Sequence, residues 1–363
     1  MKNRKILQPG YIWWLCIIIL IIIIQWLAAD KIRVEEWYTH RFYQNIAMFF
    51  RILFGWIPFS IGDILYLLAG VWLLYKIVKN IARVIKRGFN SYIFFPKLFR
   101  AIFIGLSIYV AFNIFWGLNY NRKGIAYQLD LKNERYDTTD LYMVTAHLIN
   151  KANLSKQVLA HNKEAYPQNK ELFRRAVMCF KEAQQQFPYL KYDQPSVKSS
   201  MFGWLGNYLG FTGYYNPFTG EAQVNTGVPA FLQPYITAHE IGHQAGYGKE
   251  DEASFVGYLA AVNSTDTLFH YSAYLDLFMY ANREVYFIDS ARSKKYFSML
   301  AQPVQNDIDE WRRFSMEHRS FLEPAITWAY GHFLKLNQQP TGMRSYNEVI
   351  SMLISYYKKY GTI

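Results

Sequence analysis

At 363 residues the chain is long enough for two or more domains, and its composition is lopsided: 52% hydrophobic and 18% aromatic against only 18% charged. The formal net charge of +12 invites a nucleic-acid partner. Placement argues against one: Lys2, Arg4, Lys5, Lys76, Lys79, Arg83, Lys86, Arg87, Lys97 and Arg100 all flank apolar segments, which positive-inside topology explains better than phosphate binding.

Most of the apolar excess falls before residue 120, so the expected organisation is a membrane part, 1–122, followed by a water-soluble part, 123–363. Tyr11 to Ala29 is uncharged and long enough to cross a bilayer as a helix. A cleaved signal peptide is the rival reading, with Ala28-Ala29-Asp30 as a weak cleavage site. Residues 30–56 mix charges with Trp, Tyr and Phe and read as an interfacial stretch. Further spans are expected over 57–78 and 101–119, with Asp63 near the outer end of the first as an interface residue. The basic stretch Lys79 to Arg100 between them is then cytoplasmic. Three spans from a cytoplasmic N-terminus place the remainder outside the cytoplasm, in a bacterial inner membrane. Cys16 and Cys179 lie too far apart in character and position to suggest a disulfide.

Helical spacing recurs over Thr138 to Ile149, Asn169 to Phe187, 255–262, 267–288, 303–336 and Asn347 to Tyr357. Residues 199–227 are rich in glycine, aromatics and turn dipeptides, and Glu221-Ala222-Gln223-Val224-Asn225 alternates like a short strand. Lying just before the motif helix, that strand is a candidate edge for pairing with an extended peptide, or an ordinary hairpin strand. The expected fold is mainly α, with a small sheet.

The chemistry concentrates in His239-Glu240-Ile241-Gly242-His243, an H-E-x-x-H pattern. On a helix the two imidazoles lie on one face and can share an ion, while Glu240 points aside to where a general base belongs. Two histidines, a third protein ligand and an open fourth position describe a catalytic zinc site. Pro229 and Pro234 suit the start of that helix, and Gly246 and Gly248 its end. The acidic run Glu250-Asp251-Glu252 then returns a carboxylate to the histidines, and Glu250 and Glu252 compete for the third position, with Glu250 preferred. His270, His318 and His332 are assigned no role. Because Pro234, Gln244, Lys249, Glu250 and Asp251 crowd the motif, an intramembrane protease is disfavoured.

H-E-x-x-H-x-x-G followed by Glu-Asp-Glu-Ala resembles an uncharacterised bacterial family of membrane-anchored candidate zinc metallopeptidases. Trp116-Gly117-Leu118-Asn119-Tyr120-x-Arg122, the stretch from Thr212 to Ala222, and Ser345-Tyr346 are similar to that family's other signatures. The resemblance implies a zincin-like α+β domain behind an N-terminal membrane region and supplies no target; from the motif itself, one zinc ion and a peptide or protein substrate are expected. Glu250-x-x-Ala253 is similar to the form in which several zincins supply a glutamate ligand; an Asp or Asn that often steadies a histidine there is Ser254 here. Tyr346, Tyr214 and Tyr215 enter as candidate oxyanion donors only through the resemblance. The alternative function is a non-enzymatic metal-binding membrane protein, against which an intact Glu240 argues.

Overall fold

The computed structural model describes residues 9–131, 136–163 and 165–363. Helix α1 (Pro9–Ala28) is the first apolar run. A one-turn α2 (Lys31–Arg33) is capped by Asp30, whose carboxylate accepts from the Ile32 and Arg33 amides. It runs through a π-helical stretch, Val34–Tyr43, into α3 (Gln44–Phe54). This aromatic segment does more than lie at an interface, since it buries Glu35, Thr39, Tyr43 and Arg51.

Helices α4 (Ile61–Arg87) and α5 (Ser91–Phe115) form a hairpin, and with α1 they are the three described helices long and apolar enough to cross a membrane. The helices extend past the apolar windows expected for the spans on the side of the turn between them. The basic stretch 79–100 is helix apart from a tight turn, because Lys and Arg are good helix formers and charge ends an apolar window without ending a helix. The stop is Gly88, at φ +72°, and Asn90 then caps α5 by accepting from the Tyr92 amide at 3.0 Å.

A 3₁₀ turn, Gly117–Asn121, and the short α6 (Gly124–Gln128) lead to α7 (Thr138–His161) and α8 (Asn169–Ala183). Next come β1 (Val197–Ser199), α9 (Gly203–Leu209), β2 (Gly213–Asn216) and β3 (Glu221–Val224). Helices α10 (Gln233–Gln244), α11 (Glu250–Val262), α12 (Thr267–Ile288), α13 (Ser290–Met299), α14 (Gln302–Glu317), α15 (Glu323–Leu336) and α16 (Ser345–Tyr360) complete the chain. The run 303–336, expected as one helix, is two, and Pro324 sits in the first turn of the second, where its missing N–H is harmless.

The sheet has the order β1-β3-β2, with β3 parallel to β1 and antiparallel to β2. Residues Glu221, Ala222, Gln223 and Val224 therefore form the middle strand, Asn225 follows it, and no edge of β3 is open to a peptide. The expectation that this strand is the substrate edge is corrected: its hydrogen-bonding groups are engaged by both neighbours. Its burial fits, since all four residues are buried.

Two buried charges bolt this sheet to the ends of α3 and α4. The Glu221 carboxylate accepts from the Ile61 and Gly62 amides at 3.1 and 2.6 Å, filling the positive end of α4. Lys198 on β1 donates to the Gly55 carbonyl at 2.9 Å and to the Ile57 carbonyl, closing the end of α3. Asp63 is fully buried rather than interfacial, accepting from the Met201 amide at 2.7 Å and from the Tyr214 hydroxyl. Helices α7, α8, α10, α11, α12 and α16 share the main core, in which Phe255, Leu259, Phe269 and Leu353 are fully buried. Each such side chain contributes about 1.5–3 kcal/mol of apolar burial.

Candidate metal centre

Helix α10 carries His239, Glu240 and His243; Gly246, at φ +97°, turns the chain so that α11 starts four residues later and runs back beside it. The two helices touch closely, and a Cβ on Gly242 would lie 2.9 Å from the Ala253 carbonyl oxygen. Glu250 is the first residue of α11, so its carboxylate sits at the positive end of that helix.

Glu250 Oε2 lies 3.2 Å from His239 Nε2 and 3.3 Å from His243 Nε2. Donors held tetrahedrally at zinc distances of about 2.0–2.1 Å are separated from each other by about 3.3–3.4 Å. The observed spacing, which is also that of hydrogen-bonded ion pairs, could accommodate one ion, and all three donor atoms lie within 4.8 Å of one another. It is the only such group of His, Cys, Asp and Glu among the described residues. Glu252 goes elsewhere: its carboxylate pairs with Lys249 at 3.0 Å and packs where a Cβ of Gly124 would be.

The imidazoles are oriented from behind. His239 Nδ1 is 3.0 Å from Ser254 Oγ, and His243 Nδ1 is 2.8 Å from the Tyr247 carbonyl. With Nδ1 so engaged, Nε2 of each ring faces Glu250, the arrangement seen where ligand histidines are steadied by a further hydrogen bond. Ser254 therefore occupies the steadying position that the resemblance implies.

Glu250 has its own supports. Tyr330 on α15 donates to Oε1 at 2.6 Å, and the Glu250 amide donates to Gln339 Oε1 at 3.0 Å. Neither is legible in the sequence, since both lie about 80–90 residues away in a helix and a turn that carry no motif.

Burial opposes the charge on Glu250, yet the charge of His243 and hydrogen bonds from both imidazoles hold its carboxyl well below the usual range. His243 goes the other way to about 9, the Glu250 charge and hydrogen bond outweighing burial. Burial pushes His239 down, with the Glu250 hydrogen bond only partly offsetting it. Glu240 is lifted to about 8 by burial, His243 lowering it and Glu250 raising it. Its Oε2 is buried with no hydrogen-bond partner, and it lies outside the three-donor cluster. Gly213 on β2 lies against it, with a Cβ there only 2.4 Å from Glu240 Oε1.

The tyrosines divide. Tyr214 gives its hydroxyl to Asp63, and Tyr215 is partly buried with its hydroxyl 3.3 Å from that of Tyr43. Tyr346 is the second residue of α16, but its side chain lies outside the described residues. His270, His318 and His332 each bind a backbone carbonyl close to them in sequence.

Residues before 123 hold the far end of α10. Tyr43 donates to the Gln244 carbonyl at 2.9 Å and Trp116 Nε1 to the His243 carbonyl at 3.3 Å. Arg122, fully buried, donates to the Gly246 carbonyl at 2.9 Å and forms a fork with Glu35, its Nε 2.9 Å from Oε2 and Nη2 2.5 Å from Oε1. Burial works against the Glu35 charge, but hydrogen bonds from His40 and Arg122 keep its carboxyl well below the usual range. The Trp-Gly-Leu-Asn-Tyr-x-Arg signature is thus a clamp on the end of the motif helix.

Neither the curated proteins nor the solved structures include a match to this chain. One family model does match, described as a protein of unknown function (DUF3810), over residues 38–354. That match takes in α3 to α16 up to the middle of the last helix, the whole candidate site included, and the chain belongs to this family.

Proposed function

We propose that the chain is a membrane-anchored, zinc-dependent peptidase with its site on the extracytoplasmic face of a bacterial inner membrane. The observation that carries this reading is the 3.2 and 3.3 Å spacing of the Glu250 carboxylate from the two histidine Nε2 atoms, beside a buried carboxylate outside the donor set. His239, His243 and Glu250 would hold the ion, which when bound would acidify a coordinated water and polarise a substrate carbonyl.

The residues then divide the work. Glu240 accepts the proton of the attacking water and returns it to the departing amine. Ser254 and the Tyr247 carbonyl keep each imidazole presenting Nε2, and Tyr330 keeps the Glu250 carboxylate from rotating. The strand nearest Glu240 is β2, which has β3 on one side only, so an extended peptide would pair there rather than on β3. The basic turn between α4 and α5 supports the orientation by the positive-inside rule.

Hydrolysis of a quenched-peptide library by the zinc-supplied full chain and by Glu240→Gln tests the reading. The variant should lose about 10²–10⁴-fold in turnover while binding as much zinc as wild type. No turnover by wild type, with zinc bound, would favour the non-enzymatic metal-binding alternative.

A further inference from the structure

Helix α15 is an anomaly among the helices outside the spans. Between Glu323 and Lys335 it carries no Asp, Glu, Lys or Arg, yet only Gly331 and Leu334 are buried. Trp328 is 67% exposed, Leu336 83%, and Phe321 in the turn before it 90%. Across the turn, α9 adds Trp204 at 71% and Leu205. The two helices meet, a Cβ at Gly210 falling 3.7 Å from Glu323, and the Tyr208 ring lies 5.0 Å from that of His318 at the end of α14. A contiguous apolar surface of this kind is not left to water.

What covers it is indicated by its neighbours. Phe333 on α15 packs edge-on against Phe112 of α5, ring centroids 6.3 Å apart, and against Tyr120 at the same distance. Phe112 lies three residues before the end of α5, about 5 Å along the helix axis from that end. Phe333 therefore joins α15 to the end of a helix long and apolar enough to cross a membrane. Arg319 and Arg344, both exposed, stand near the two ends of α15 in sequence, where side chains reach headgroup phosphates.

We infer that α15 and α9 are interfacial helices seated in the same bilayer that α1, α4 and α5 cross, a second membrane contact about 90 (α9) and about 200 (α15) residues further along the chain than the spans. The partner is the lipid surface itself, and Trp204 and Trp328 are its anchors at headgroup depth. The inference does not depend on the peptidase reading.

The test uses the full chain in phosphatidylcholine nanodiscs, with Cys16→Ser and one introduced cysteine carrying an environment-sensitive fluorophore. Cys179 stays unlabelled because it is buried and its thiol is pushed up to about 12 by burial. Trp328→Cys and, as a second and more exposed site, Leu336→Cys are compared with the exposed Lys294→Cys on α13. At the first two, lipids spin-labelled near the headgroup should quench several-fold more than at 294, and iodide several-fold less. Iodide quenching equal to that at 294 would overturn the inference, since the face would then be in water. Shielding from both quenchers would overturn it equally, the cover then being protein.

Discussion

On the proposed peptidase reading, single side chains decide whether the three candidate ligands and Glu240 stay in register. Gly213 makes no unusual demand on the backbone, but a methyl group there would meet Glu240 Oε1 at 2.4 Å. Gly213→Ala should therefore displace the base and cut turnover by about 10- to 100-fold, with zinc content unchanged. Full activity in that variant would show that Glu240 is not placed by β2. Tyr330 acts on the other side of the site. Removing its hydroxyl in Tyr330→Phe leaves Glu250 Oε1 without that donor and should weaken zinc binding about 10- to 100-fold, read by competition with a chelating dye. An unchanged affinity would make Tyr330 a packing residue only. The shared face of the motif histidines is legible from spacing, because neighbours on one helix are fixed by local geometry, whereas the position of Ser254 comes from the resemblance, which has Asp or Asn there. Tyr330 and Gln339 are not legible, since only the tertiary fold brings them to Glu250.

Among the elements, the end of α10 depends on a charge pair built from two distant segments, Glu35 in the π-helical stretch and Arg122 after the last span. Glu35 titrates below its ordinary 4.5 in the folded chain, so its contribution is fully present above that value and is lost as pH falls toward the lowered one. Wild type should lose thermal stability in detergent progressively below about pH 5. Glu35→Gln should be less stable by about 3–5 kcal/mol at pH 7, because Arg122 is left buried without its partner, and should show a flatter profile below pH 5. Identical acid profiles in the two proteins would rule out Glu35 as the source of the acid lability. Aromatics and mixed charges suit an interface, which is why residues 30–56 read as one; the burial of Glu35 and Arg51 depends on partners far along the chain. The apolar windows likewise stop at 78 and resume at 101, while the backbone keeps its helix through Lys79, Arg83 and Lys86 and takes it up again from Ser91.

For the whole molecule, the membrane helices and the site are one construction. The sheet beside Glu240 is fixed to the end of α4 by Glu221 and to the end of α3 by Lys198, and α10 is held by Tyr43, Trp116 and Arg122. Periodicity separates an apolar half from a helical half, and that much of the architecture is legible in the sequence. The joining of the halves is not, because Glu221 and Lys198 look like ordinary strand residues until the helix ends they fill are in view. The middle position of β3 is hidden for a similar reason: β1 is three residues long and carries no alternation to recognise. Tests of the site accordingly belong on the full chain. The most direct is zinc content by elemental analysis of the purified, detergent-solubilised protein after zinc supply and desalting. About one ion per chain is expected in wild type and in Glu240→Gln, with loss of most of it in His243→Ala and Glu250→Ala but not in Glu252→Ala. A metal-free wild type, or an ion retained in full by Glu250→Ala, would contradict the assignment of these three residues as a metal centre.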